Sequence, residues 1–286
     1  MITSEELHAH LVEHRIAGRV ATPRQNNLGK YARFGRRDPD VLFGLDPEGE
    51  WTAADVLALM ARRVGVSPDR RHLHGQDTID PRLTVDALDR LAAVVARTAA
   101  RRGSVLLGTG HPQHLLGFHA ALGDALRAVG CAVLAPAHPS HFPMHHAQEV
   151  EYSALDYVRR VGVVRVYEGA PPPGGTVGAE DLAAALGNLS DPVHTHSPQP
   201  VRIALAALAE AGEPLPDLVI GDHGWACGAG RLGIPAVGLA DSNDPAVFVG
   251  EAEGEVEVAV PLDDGVRQGC YELLSAYVLQ QAGMSQ

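Results

Sequence analysis

Residues 215–248 read LPDLVIGDHGWACGAGRLGIPAVGLADSNDPAVF, a stretch with two short apolar runs that each end in a polar turn. Residues 218–220 predict a buried strand that stops at the turn GDHG (221–224), and residues 235–239 predict a second strand that stops at DSNDP (241–245). Ligands of open α/β sheets bind beyond the carboxyl ends of the strands. We therefore expect the two turns, which are rich in Asp, Asn and His, to face one crevice.

The alternation of strand and helix extends to both sides of this stretch. Residues 105–107 predict a buried strand, 115–129 a helix and 131–134 the next strand, which together form a β-α-β unit with parallel strands. A helix at 200–211 and a last strand at 256–260 continue the pattern. The sequence thus predicts an α/β fold whose sheet is mostly parallel and lies in a three-layer, Rossmann-like sandwich.

The first hundred residues have a mostly helical pattern. Thr3-x-x-Glu6 is a capping box ahead of one helix, and Asp80-Pro81 is an N-cap followed by proline at the first position of another. We expect residues 1–102 to be a helical N-terminal portion that packs on the sheet. Residues 103–286 are then the α/β domain, and the two parts form one compact unit.

The segment 136–148 interrupts the α/β pattern. Its three prolines, Pro136, Pro139 and Pro143, argue against regular structure. It also carries four histidines without an acidic partner at fixed spacing: His138, His141, His145 and His146. We expect neither a strand nor a metal site in this segment.

The composition is that of a globular chain and limits its partners. The 286 residues include 23 Lys and Arg against 35 Asp and Glu, a net charge of −12. Nucleic acids and anionic membranes need a basic surface, so we expect neither as a partner. The three cysteines lack the spacing of a disulfide framework or zinc knuckle, and no apolar run reaches the roughly 20 residues of a membrane span, so we expect a cytoplasmic protein. A homodimer is compatible with the sequence.

The turn Gly108-Thr109-Gly110-His111 lies between a predicted strand and a predicted helix, where backbone N–H groups can hold a phosphate. It lacks the dinucleotide fingerprint and the P-loop lysine, so it does not indicate NAD or nucleoside triphosphate binding. The alternative is a plain turn that needs glycine for its dihedral angles. Arg24 and Arg202 are candidates to assist with the phosphate, although Arg24 can equally be a solvated charge at a helix start.

Histidines and an aspartate indicate a second kind of chemistry. His194-x-His196 on an extended segment places both imidazoles on one side, a geometry that metal sites use. Asp222-His223 follows a strand and is open to several interpretations: metal ligands, a general acid/base pair, a carboxylate nucleophile or a helix N-cap. His119 lies on the inward face of its helix, where we expect a hydrogen-bonded core histidine.

The turn after the next strand offers oxygen ligands. Asp241, Asn243 and Asp244 supply three such side chains in four residues, although Asp244 before a proline is also a good N-cap. Asp263-Asp264 after the last strand adds two more carboxylates. Hard cations choose such groups, so we expect a divalent metal, with Mg²⁺ or Mn²⁺ favoured and Zn²⁺ as the alternative.

Six motifs together resemble an actinobacterial family known simply as phosphatases, and the resemblance spans nearly the whole chain. They are ATPRQNN (21–27), GTGHP (108–112), HTHSPQPVR (194–202), GDHGWACGAG (221–230), DSNDPAVFVGEAEG (241–254) and VPLDD (260–264). The resemblance implies hydrolysis of a phosphoester, without a substrate or catalytic residues that can be transferred.

These observations lead to one preferred hypothesis, a phosphatase that acts on a small phosphorylated metabolite, a phosphomonoester. In it, Asp222, Asp241, Asn243 and His194 hold the divalent cation that polarises the phosphate. Asp222, His223 and His196 are the candidate catalytic groups, the histidines as general acid or base. The alternative is a sugar-phosphate binding protein or isomerase of the SIS type, which works without metal, and a third reading is a sensor or structural module.

Overall fold

The computed structural model describes residues 1–137, 140–146, 149–167 and 189–284. The α-helices of this part are α1 (Ser4–Glu13), α2 (Arg24–Gly35), α3 (Pro39–Leu42), α4 (Ala53–Arg63), α5 (Pro81–Ala100), α6 (Pro112–Ala128), α7 (Gln199–Glu210), α8 (Gly224–Gly230), α9 (Pro245–Glu253) and α10 (Glu272–Gln281), with a 3₁₀ turn at Gln268–Tyr271. The strands are β1 (Gly18–Pro23), β2 (Gln76–Ile79), β3 (Ser104–Gly108), β4 (Ala132–Leu134), β5 (Ser140–His146), β6 (Glu149–Val158), β7 (Val161–Val166), β8 (Leu218–Asp222), β9 (Ala236–Ala240) and β10 (Val258–Pro261).

The main sheet is mixed, with a parallel half and an antiparallel half. Its strand order is β10-β9-β8-β3-β7-β6-β5, and β4 pairs with β3 beside this path. The pairs from β10 to β7 are all parallel, whereas β7, β6 and β5 pair antiparallel. The predicted α/β class and the mostly parallel sheet are confirmed, and the three-layer, Rossmann-like arrangement stays a prediction.

Both faces of the sheet are packed. In β3, Val105 and Leu107 belong to one hydrophobic cluster and Leu106 belongs to another. The larger cluster also contains residues of the N-terminal portion such as Leu7 and Tyr31, so that portion shares a core with the sheet. The division of the chain at residue 102 stays a prediction.

A row of four glycines crosses the parallel strands: Gly162 of β7, Gly108 of β3, Gly221 of β8 and Gly238 of β9 are aligned by register. The buried indole of Trp225 lies over the first three. A Cβ atom added to Gly108 would come within 2.1 Å of this indole, and one added to Gly162 within 2.3 Å. Only glycine lets the indole approach the strands this closely, so Gly108 is needed for packing.

The N-terminal portion contains two strands that the helical pattern did not predict. β1 and β2 form an antiparallel pair of their own. The capping box of Thr3 and Glu6 and the N-cap of Asp80 are present as predicted. Short strands next to strong helix signals are hard to read from a sequence, because their pairing partner lies more than fifty residues away.

The segment 136–148 also differs from expectation, because β5 is a strand that contains Pro143. β5 pairs only with β6 in the strand path and is therefore an edge strand. Proline is tolerated at an edge because no further strand needs its missing N–H. β6 and β7 form an antiparallel hairpin beside it.

None of the described helices is both long and apolar enough to cross a membrane. Cys131, Cys227 and Cys270 are free and buried.

A buried ion pair holds β2 to the start of α2. Arg24 donates to Asp77 at 2.7 Å, and neither side chain is more than 1% exposed. The Arg24 guanidinium also donates to the carbonyls of His72 and Asp69, and Asp77 accepts further hydrogen bonds from Asn27 and the Ser67 N–H. We infer that this pair fixes the position of α2.

Replacing Asp77 with Ala should destabilise the protein by about 3–5 kcal/mol, because it leaves the Arg24 charge buried without a partner. Urea unfolding followed by circular dichroism measures the change. Asp124→Ala is the matched control, since its partner Arg159 and Asp124 itself are about half exposed, and it should cost less than about 1 kcal/mol. Equal losses in the two variants would contradict a structural role for the buried pair.

Replacing Gly108 with Ala should cost about 1–3 kcal/mol, because the new methyl group overlaps the Trp225 indole. Gly29→Ala in α2 is the control: a Cβ atom there meets nothing within 4 Å, so the change should stabilise the helix by about 0.5–1 kcal/mol. Thermal unfolding of the two variants measures the expected loss of stability in the first and the expected gain in the second. A Gly108→Ala protein as stable as the wild type would show that the indole can move aside.

Candidate functional site

Polar side chains converge beyond the carboxyl ends of four neighbouring parallel strands. His111 follows β3, His223 follows β8, Asp241 and Asp244 follow β9, and Asp263 with Asp264 follow β10. The extended segment 194–196 joins them, because the Thr195 N–H donates to the Gly110 carbonyl at 2.9 Å. Parallel strands thus bring to one edge residues that are far apart in sequence.

Asp222 is the buried acceptor at the centre of this edge. Its Oδ2 accepts hydrogen bonds from the Gly110 N–H at 2.9 Å and from Nδ1 of both His111 and His223 at 3.1 Å. Burial alone would raise the pKa of the Asp222 carboxyl, but the bonds from the histidines hold it well below its usual value. An ionised carboxylate only accepts, so each imidazole carries a proton on Nδ1 and turns its Nε2 away from Asp222.

These Nε2 atoms point towards two carboxylates. The Nε2 of His223 lies 2.9 Å from Asp244 Oδ2 and 3.2 Å from Asp264 Oδ2. The Nε2 of His111 lies 3.6 Å from Asp264 Oδ1. Burial would lower the pKa of His223, but Asp244 and Asp222 hold it well above the ordinary value. His223 thus has a carboxylate at each ring nitrogen, an arrangement that favours the imidazolium form.

Two further imidazoles complete the group. The Nε2 atoms of His194 and His196 lie 3.0 Å apart. The ring centroid of His194 is 4.2 Å from that of His111, and His196 stacks on His223 at 4.2 Å. We call these six residues the His/Asp cluster: His111, His194, His196, His223, Asp244 and Asp264.

His194 and His196 are neutral at physiological pH. Burial, and then the neighbouring His111, lowers the pKa of His194 to about 4. Burial, and then His223, lowers the pKa of His196 to about 2. Both rings therefore keep a lone pair, which suits them as metal ligands and makes them weak bases.

Potential ligand atoms of the cluster lie close together. One atom from each of His111, His196 and His223 lies within 4.8 Å of the others, and the same holds for His223, Asp244 and Asp264. A third such group, Asp241, Asp263 and Asp264, is formed by carboxylates alone. We call this last group the carboxylate triad.

The N-terminal portion holds the 241–244 turn in place. Lys30 pairs with Asp244 at 2.7 Å, the Tyr31 hydroxyl donates to the Ser242 carbonyl at 2.5 Å, and Thr22 donates to Asp241. Burial would raise the pKa of Asp244, but His223 and Lys30 keep it well below its ordinary range. No spacing in the sequence indicated these contacts, because they join residues about 210 positions apart.

The predicted phosphate turn has few free donors. The Thr109 N–H donates to the Gly162 carbonyl, the Gly110 N–H to Asp222 and the His111 N–H to the Thr109 hydroxyl. The structure thus uses this turn to hold Asp222 and the sheet, and only the His111 side chain enters the cluster.

The two arginines that were candidates for phosphate binding are engaged elsewhere. Arg24 is fully buried and pairs with Asp77, so its guanidinium is not accessible to a phosphate. Arg202 donates to the Gly44 carbonyl at 3.2 Å. Arg24 binds a carboxylate and Arg202 a backbone carbonyl, and neither contact can be read from the sequence.

Two other predicted metal ligands, Asp222 and Asn243, make hydrogen bonds of their own, and each also has a buried oxygen, Oδ1, that accepts none. Asp222 binds the imidazoles from behind and does not cap α8, whose N-cap position is His223. The amide nitrogen of Asn243 donates to Asn26 at 2.8 Å. His194 lies in the His/Asp cluster and Asp241 in the carboxylate triad, and their roles as metal ligands stay predictions.

His119 differs from the hydrogen-bonded core residue that was expected. It is fully buried, and neither ring nitrogen has a hydrogen-bond partner. Its Nε2 lies 3.5 Å from Asp222 Oδ1, whereas His111 and His223 bond to Oδ2 of that carboxylate. His138 lies outside the described residues, as do the side chains of His141, His145 and His146.

A cavity of about 430 Å³ opens beside the cluster and is lined by His194 and His196. Phe43 forms part of its wall and contacts the rings of His196 and His223, with centroids 4.8 and 5.2 Å apart. Phe43 and His223 both have positive φ angles, 53° and 47°. Such strained backbone often occurs at functional sites.

Comparison with known proteins supports a common chemistry. A family model described as Phosphatase matches residues 2–286. The chain is 42% identical over 281 residues to Phosphatase SCO2771 of Streptomyces coelicolor. The aligned residues cover 98% of this chain and 96% of that protein. The resemblance to actinobacterial phosphatases that the motifs indicated is thereby confirmed. The chain belongs to this family of phosphatases, hydrolases that act on phosphate esters.

Proposed function

We propose that the protein hydrolyses a small phosphomonoester with the help of a divalent metal ion bound by the His/Asp cluster. The observation that carries the proposal is the convergence of four imidazoles and two carboxylates beside a cavity, with the ligand atoms of His111, His196 and His223 within 4.8 Å of one another. A phosphatase needs positive charge where the phosphate binds, and Arg24, one of the two candidate arginines, is engaged with Asp77.

The charge balance of the cluster favours a cation. In its metal-free form, the His223 imidazolium is the cation between Asp222 and Asp244. A divalent ion can take the place of the Nε2 proton and neutralise Asp244 and Asp264 as well. Imidazole together with carboxylate suits Mn²⁺ or Zn²⁺ better than Mg²⁺, which prefers oxygen ligands.

The bound ion would supply Lewis acidity, polarising a phosphoryl oxygen and lowering the pKa of water. The residues of the chain have complementary tasks. Asp222 orients two imidazoles through their Nδ1 atoms, as carboxylates behind metal-bound histidines do. Lys30, paired with Asp244, adds positive charge on the side of the N-terminal portion.

The roles of the candidate catalytic residues follow from their environments. Asp222 is fully buried, and three donors occupy its Oδ2, so it orients ligands rather than attacking phosphorus. The low pKa of His196, about 2, makes it a poor general base and a good ligand. His223 is enclosed by carboxylates, which favours the same role.

The cavity supports a small substrate. Its volume of about 430 Å³ lies in the range of small-molecule sites, and His194 and His196 are among the residues that line it. Phe43, Pro39 and Pro198 give it apolar walls that can hold the leaving group of the ester.

The metal-free SIS-type alternative is less favoured. That class holds phosphate on hydroxyl-rich turns, whereas the Thr109 hydroxyl already accepts the His111 N–H. A purely structural or sensory role would leave the buried cluster and its adjoining cavity without a use, and the relative named above is a phosphatase.

Removing the metal should abolish turnover. We expect EDTA treatment followed by desalting to lower the rate of hydrolysis of a panel of phosphomonoesters by at least about 100-fold, because the metal contributes several kcal/mol of charge stabilisation. Adding Mn²⁺ or Zn²⁺ should restore the rate. His196→Ala should lose activity to a similar extent. His74→Ala, on an exposed loop, is the matched control and should keep full activity. Full activity of the metal-stripped wild type would refute the proposal.

Replacing Asp222 with Asn should weaken metal binding by about 10–100-fold, because the imidazoles lose the charge that orients them. Isothermal titration with Mn²⁺ measures the affinity, and high Mn²⁺ should recover much of the activity. A variant that binds Mn²⁺ as tightly as the wild type and has unchanged turnover would rule out the orienting role.

A further inference from the structure

We propose that the carboxylate triad, Asp241, Asp263 and Asp264, is a second divalent-cation site that shares Asp264 with the His/Asp cluster, so that the centre holds two ions. The inference rests on the proposed function for the first ion, while the second site is argued from its own contacts.

The triad is formed at the ends of two neighbouring strands. β9 and β10 pair in parallel, with Leu239 opposite Val260 and Ala240 opposite Pro261. Asp241 follows β9 directly, and Asp263 and Asp264 follow β10 after one intervening residue, Leu262. One carboxylate oxygen from each residue lies within 4.8 Å of the others, and the three residues are 3%, 4% and 7% exposed.

No lysine or arginine neutralises the triad among the ion pairs of the described residues. Two other buried carboxylates have such a partner: Asp77 pairs with Arg24, and Asp244 pairs with Lys30, while Asp222 is paired with histidines. Three carboxylates this close repel one another strongly in a buried environment. A divalent cation between them would remove that repulsion.

Asp264 provides an independent observation. Its Oδ2 is buried and makes no hydrogen bond. The nearest donor is Nε2 of His223 at 3.2 Å, but that atom donates to Asp244 at 2.9 Å. A buried carboxylate oxygen whose nearby donor already serves another carboxylate calls for an explanation, and a bound ion is a sufficient one.

The other two carboxylates are held in position by hydrogen bonds. Asp263 accepts from the Ala21 N–H at 3.1 Å and the Gly265 N–H at 3.0 Å. Asp241 accepts from the Ser242 N–H at 2.5 Å and from Thr22. Each oxygen has a second lone pair, so these bonds orient the carboxylates and leave them able to bind an ion.

The two sites differ in chemistry. The triad offers only oxygen, which suits hard ions such as Mg²⁺ or Mn²⁺, whereas the His/Asp cluster is rich in imidazole and suits Mn²⁺ or Zn²⁺. Asp264 contacts the imidazoles of His111 and His223 and also belongs to the triad, so it is the residue that would bridge the ions. Two ions about 3.5–4 Å apart can stabilise both the attacking and the leaving oxygen of a phosphoryl transfer.

Metal stoichiometry tests the proposal. The full-length protein is stripped with EDTA, titrated with Mn²⁺ and analysed by calorimetry and by elemental analysis after desalting. We expect two equivalents per chain for the wild type and for the control Asp124→Asn, an exposed aspartate far from the site in sequence. Asp263→Asn should bind one equivalent. A wild type that saturates at one equivalent would overturn the proposal.

Electron paramagnetic resonance of the Mn²⁺-loaded wild type tests the same idea without a variant, in case Asp263→Asn does not fold. A bridged pair of ions gives an exchange-coupled spectrum at two equivalents, whereas separate ions give the six-line signal of isolated Mn²⁺, which would contradict a shared Asp264.

The outcomes separate this inference from the proposed function. One equivalent together with metal-dependent turnover would refute the second site and leave the proposed function standing. Two coupled ions without turnover on any phosphomonoester would support the second site and refute the proposed function. A metal-free protein with full turnover would refute both.

Discussion

The indole of Trp225 lies against glycines of three neighbouring strands, and the geometry of the site depends on this contact. Burial of an indole contributes on the order of 5 kcal/mol. Because Gly108, Gly162 and Gly221 have no side chains, α8 can begin directly beyond β8 with its tryptophan over the sheet. The single residue between strand and helix is His223, which is held at a φ of 47°. Packing thus places a strained histidine next to the buried Asp222.

Asp222 then connects the parts that packing has brought together. A carboxylate without solvent is stable only if hydrogen bonds replace its hydration. Here the donors are one backbone N–H and two imidazoles, from the turn after β3 and from His223. The same bonds that offset the burial of this charge also determine which face of each imidazole points towards Asp244 and Asp264. Stability and site geometry therefore have one cause.

The N-terminal portion is part of the site as well as of the core. β1 and α2 supply Thr22, Lys30 and Tyr31, all of which bind the turn after β9. The buried pair of Arg24 and Asp77 anchors that end of α2. A residue that resembles a phosphate ligand in the sequence thus acts at a distance, by positioning the helix that carries Lys30.

The sequence by itself determined the α/β class, the strands of the parallel half, several helix caps and the family. These features depend on local periodicity, on turn residues and on motifs that are contiguous along the chain. It also indicated that the turns after the strands carry the chemistry, because parallel strands place their carboxyl ends at one edge.

Only the tertiary structure decided which atoms face one another. The sequence left Asp222 open as a ligand, a nucleophile or a cap, and only the fold shows its Oδ2 bonded to Gly110, His111 and His223. Likewise, only the fold shows Asp77 beside Arg24. These contacts depend on burial and on residues that are distant in sequence: Asp77 is 53 positions from Arg24, and His111 is 111 positions from Asp222. The local sequence pattern predicts neither.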